Sequence, residues 1–90
     1  MKQKHLKKQL ADTLDLPKEI LLSYPLISLI GHEELLIQNH KGLIEYTSDL
    51  IRIKTKVGAL KVVGTDLYIN KMSTEDLKIT GLIKLFEFVE

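Results

Sequence analysis

The sequence predicts a mainly β domain, an N-terminal helix and a short second helix followed by an antiparallel β meander. Three observations predict it. From Gly31 onward, apolar residues recur two apart, as Leu35/Ile37, Ile51/Ile53, Leu60/Val62, Leu67/Ile69 and Leu77/Ile79. Successive strand side chains point to opposite faces, so each pair marks one buried face. Between the pairs lie Asn39-His40-Lys41-Gly42, Thr47-Ser48-Asp49, Val57-Gly58, Gly64-Thr65-Asp66, Ser73-Thr74-Glu75-Asp76 and Thr80-Gly81. These residue types accept positive φ or bond their own backbone in turns. Such connections are too short for helical crossovers, so neighbouring strands should run antiparallel.

The elements follow in order. Residues 3–14 place Leu6, Leu10 and Leu14 four apart with Ala11 beside them, one narrow apolar stripe of a helix. A helix of that length is marginal alone and needs a surface to lean on. Asp15 then offers a cap, Pro17 suits a first helical turn and Glu19 lies near its positive end, giving a short helix over 17–22. Tyr24 precedes Pro25 and is biased to extended backbone. Strands are expected at 26–30, 35–38, 43–46, 51–54, 60–63, 67–70, 77–79 and 83–89. Adjacent Leu85-Phe86 break the alternation and predict a bulge near Lys84–Leu85.

Residues 1–24 thus form a helical segment with a basic tip, and 25–90 a β domain, within one structural domain. The strands could make a curled sheet or partial barrel, or a two-sheet sandwich. A short β-solenoid fits less well, since the inward pairs from Ile51 to Leu77 are spaced 9, 7 and 10 residues apart rather than at a fixed repeat. An open arrangement leaves an edge strand unpaired, and a partner or a second copy, making a homo-oligomer, is one way to cover it.

Composition narrows the chemistry. No cysteine is present, so disulfides and thiolate metal ligands are excluded. The longest apolar runs fall far below the roughly 18 residues that span a bilayer, and the charged N-terminus is unlike a secretory signal. A cytoplasmic protein without a transmembrane segment is expected, with membrane contact only peripheral. Four lysines, Lys2, Lys4, Lys7 and Lys8, stand in the first eight residues without an acid, whereas the rest holds nine basic and twelve acidic side chains. That tip is a candidate contact for an anionic surface, although a small cluster of this kind is more often a solvated terminus.

His5, His32 and His40 show no ligand spacing, and no metal or other cofactor is expected. The serines lack a nucleophile-elbow pattern. The glycines are spread one per turn and do not gather into a phosphate-binding loop. Arg52, Lys54, Lys56 and Lys61 could form an outward basic stripe, but no aromatic is interleaved for base stacking, so nucleic acid is not an expected partner.

Taken together, the chain resembles the YabP/YqfC family of sporulation proteins of endospore-forming bacteria. The resemblance runs from Leu16-Pro17-Lys18-Glu19 and Pro25-Leu26-Ile27-Ser28-Leu29-Ile30-Gly31 through Gly58-Ala59-Leu60-Lys61-Val62-Val63-Gly64-Thr65-Asp66-Leu67-Tyr68-Ile69 to Gly81-Leu82-Ile83-Lys84. Its most specific piece is the pattern I-x-N-H-x-G-h-h-E-Y, matched by Ile37, Asn39, His40, Gly42, Glu45 and Tyr46. The preceding Leu16–Glu19 segment points to the YqfC branch. The ending Leu85-Phe86-Glu87-Phe88 is bulkier than is usual in the family, which touches packing.

The resemblance implies a non-enzymatic protein of the mother cell, a companion of an integral membrane protein of the YqfD type needed for endospore development. It carries no catalytic residues over. Asn39, His40, Lys41, Gly42, Glu45 and Tyr46 become the candidate partner-binding set, with turn geometry as the plainer reading of Asn39 and His40. A self-assembling scaffold and, further off, a single-strand nucleic-acid module are the alternatives.

Overall fold

The computed structural model describes residues 23–89, which form one six-stranded antiparallel sheet. The strands are β1 (Leu26–Ile30), β2 (Glu34–Gln38), β3 (Gly42–Tyr46), β4 (Leu50–Thr55), β5 (Gly58–Met72) and β6 (Asp76–Val89). Their order is β1-β2-β6-β5-β4-β3. The outer strands β1 and β3 do not pair, so the sheet is open rather than a closed barrel. Mainly β, antiparallel architecture is as the alternation predicts. Both expected helices, and the four basic-tip lysines, lie outside the described residues.

Two expected turns are bends instead. Gly64-Thr65-Asp66 lies inside β5 and Thr80-Gly81 inside β6, strands of 15 and 14 residues, so eight expected strands become six. The physical reason is close backbone approach. A Cβ on Gly64 would strike the carbonyl oxygen of Leu82, and one on Gly81 would lie 2.5 Å from the carbonyl oxygen of Asp66. Asp66 and Gly81 take φ of 54° and 132°, and the register slips between Val63 and Gly64 and again between Thr65 and Tyr68. Positive φ and a bulge sharply bend a paired strand without ending it.

The bends fold the sheet over its own core. One half comprises β3, β4, the start of β5 and the end of β6. The other comprises β1, β2, the start of β6 and the end of β5. In the first half the register aligns Leu43–Ile53–Leu60–Phe88 and Tyr46–Ile51–Val62–Phe86 on one face. In the second it aligns Ile27–Ile37–Leu77–Met72 and Leu29–Leu35–Ile79–Ile69. The central members of all four rows belong to one buried cluster, with Leu35, Ile37, Ile51, Ile53, Leu60, Val62 and Ile79 wholly shielded from solvent. These are the period-two pairs of the sequence, now facing each other across the fold.

The link from β2 to β3 is a second correction. Asn39–Lys41 is not a hairpin turn, because β2 pairs with β6 while β3 pairs with β4 at the far side of the sheet. The meander therefore holds only from β3 to β6, and the β1–β2 hairpin adds to the outer side of β6. The expected bulge is present: Val63 opposes Leu85 and Gly64 opposes Ile83, leaving Lys84 unpaired.

Candidate interaction surface

The β2–β3 link is built from the residues that the sequence motif singles out. Asn39 turns the chain at a φ of 67°, and its side-chain amide donates to the Tyr24 carbonyl at 2.8 Å. The backbone N–H groups of Asn39 and His40 both donate to the Glu75 carbonyl, at 2.7 and 3.1 Å. The N–H of Lys41 reaches the Lys54 carbonyl at 2.7 Å. His40 is buried. Its Nδ1 accepts from the Gly42 N–H at 3.0 Å, so Nε2 carries the proton and donates to the Ser73 carbonyl at 2.9 Å. One imidazole thus pins the link to the β5–β6 turn, 33 residues away.

This arrangement divides the six candidate residues. Asn39, His40 and Gly42 spend their polar groups inside the chain. Lys41, Glu45 and Tyr46 stand exposed along β3. Glu45 pairs with Arg52 at 3.5 Å across the strands, and the Tyr46 hydroxyl accepts the Ile69 N–H at 3.0 Å. Around them β3 exposes Leu43 and also Ile44, which the bulge between Leu43 and Glu45 leaves without a cross-strand partner.

A second apolar surface lies at the end of β6. Phe86 and Phe88 share the core-facing side with Val62 and Leu60, yet they are 38% and 45% exposed. Leu85 is also exposed, on the outer face. Exposed large side chains gathered at strand edges, rather than scattered, mark contact surfaces. The sequence alone assigns 83–89 as a strand and does not single out this flank. The phase break at Leu85-Phe86 was the available signal, since it moves two phenylalanines onto the core-facing side.

The outward basic stripe is flanked by acids. Along one cross-strand row the order is Glu45–Arg52–Lys61–Glu87. Lys56 is held by the Ser23 hydroxyl at 3.1 Å and lies 5.6 Å from the centre of the Tyr24 ring. Among the described residues no His, Cys, Asp or Glu cluster could hold a metal ion, and no helix is long and apolar enough to cross a membrane.

Comparison with known proteins gives a consistent placement. No solved structure matches the chain. It is 25% identical over 89 residues to the uncharacterized protein YqfC of Bacillus subtilis (strain 168), an alignment covering 99% of this chain and 96% of that protein. Residues 24–90, which include the whole described sheet, match the YabP family. The chain belongs to the YabP family.

Proposed function

We propose that this chain is a non-enzymatic sporulation protein, a mother-cell companion that binds an integral membrane protein of the YqfD type during endospore development. The observation that carries the reading is the open sheet of a YabP-family chain, with apolar side chains exposed along edges that pair with no other described strand. A binding module needs such surface, and native proteins otherwise protect strand edges. Lys41, Glu45 and Tyr46 contribute polar and aromatic contacts on the β3 side. Lys2, Lys4, Lys7 and Lys8 are the candidate contact for anionic lipid.

A tagged chain recovered from detergent-solubilised membranes of a sporulating culture tests this. One integral membrane protein of the YqfD type should co-purify in near-equal amount. Recovery of the chain alone as a small species would contradict the companion role. Recovery of the chain alone in large particles would favour a self-assembling scaffold, a reading that the uncharged β1 edge Leu-Ile-Ser-Leu-Ile supports.

A further inference from the structure

The edges of the open sheet are not equivalent. Up to Ile83, the outer side of β6 is occupied: Gly81 and Ile83 donate their N–H groups to the carbonyls of Glu33 and His32. Beyond the Lys84 bulge, β6 pairs only with β5, and no other described strand runs along its outer side. From Leu85 to Val89 this edge continues without a further register slip, proline or glycine. On β3, by contrast, the bulge at Ile44 interrupts the ladder, and Glu45 is already paired with Arg52.

The free edge also has a sign. Phe86 and Phe88 present their rings on one face, and Glu87 lies between them on the other. Glu87 closes the Glu45–Arg52–Lys61–Glu87 row and forms no ion pair among the described residues. A strand added here would bring one residue opposite Glu87 and its two neighbours opposite the phenylalanines. Directly opposed residues interact most strongly, and opposite charges are favoured there. A second copy offers a poorer match, because the charge that β3 or this same stretch of β6 would bring is again a glutamate and β1 carries no charge at all.

We infer that Leu85–Val89 is a strand-addition site for an extended partner segment in which a lysine or arginine is flanked by apolar residues. Main-chain bonds would hold such a segment, and alternate side chains would select it. The inference rests on the companion reading for its biological partner but not for its chemistry.

The test uses the full chain, isotopically labelled, with two ten-residue peptides as probes, one alternating valine and lysine and one alternating valine and glutamate. The lysine peptide should shift the amide resonances of Leu85–Val89 saturably. Glu87→Lys should weaken its binding by about fivefold to tenfold and improve binding of the glutamate peptide, with a small fall in melting temperature because the new cation opposes Lys61. Shifts mapping to β1 or β3, equal binding of both peptides, or no binding would each overturn the inference. So would slow exchange, in the peptide-free protein, of those amides of this stretch that point away from β5; dependence of that protection on concentration would name a second copy as the cover, and independence the chain's own N-terminal segment. Edge binding in a chain that captures no membrane protein would end the companion reading and leave this inference standing.

Discussion

Gly64→Ala should unfold this protein or come close to it. A methyl group at residue 64 meets the Leu82 carbonyl oxygen and lies 2.9 Å from the Leu67 side chain, both at the point where β5 and β6 bend together. The first obstacle is backbone, so relief requires the two long strands to separate. Those strands join the halves of the sheet, and their parting opens the core. A loss above about 3 kcal/mol is expected, a large share of the 5–15 kcal/mol that stabilises a typical domain. Gly31→Ala is the control. That glycine has a φ of 56° but nothing within 4 Å of an added Cβ, so only the left-handed strain of roughly 1–2 kcal/mol applies. Urea denaturation of both variants decides the matter, and equal midpoints would refute the bend as described.

Leu60→Ala should cost about 2–5 kcal/mol, because it removes a wholly buried side chain from the centre of the core and leaves a cavity. Leu60 stands between Ile53 of β4 and Phe88 of β6 in one row, so neighbours on both sides lose contact. At about 4–8 °C per kcal/mol for a domain of this size, the melting temperature should fall by roughly 10 °C or more. Leu85→Ala, on the exposed outer face, should stay within about 0.5 kcal/mol of the parent. Thermal melts followed by circular dichroism give both values, and similar losses at the two positions would show the faces to be misassigned.

Much of this fold is legible in the sequence because strand burial has period two. Leu35/Ile37, Ile51/Ile53, Leu60/Val62 and Leu77/Ile79 are spaced that way and are buried. The Lys84 bulge is legible for the same reason, since Leu85-Phe86 cannot both keep the inward phase. What the pattern does not encode is whether a turn residue reverses a strand or bends it. Gly64, Asp66 and Gly81 have the composition of turns, and only the approach of two distant backbones decides between the outcomes. Pairing choice is equally hidden. Nothing near Asn39 indicates that β2 joins β6, which begins nearly forty residues later.

The candidate site was legible in part. The motif around Asn39–Tyr46 picks out residue types that resemble the family pattern, but local sequence gives no sign that His40 is buried against Ser73. Burial of an imidazole depends on a carbonyl that another part of the chain supplies. The exposed residues of the motif, Lys41, Glu45 and Tyr46, are the ones open to a partner. The β6 flank escapes because a buried and an exposed phenylalanine hold the same place in the alternation, and Phe86 and Phe88 are exposed.

The proposed companion role in endospore development is tested most directly by deleting the gene in the native host and counting heat-resistant spores, with an intact copy supplied in parallel. The account predicts normal vegetative growth, loss of heat-resistant spores, and recovery when the intact chain is restored. Undiminished spore counts in the deletion strain would contradict it.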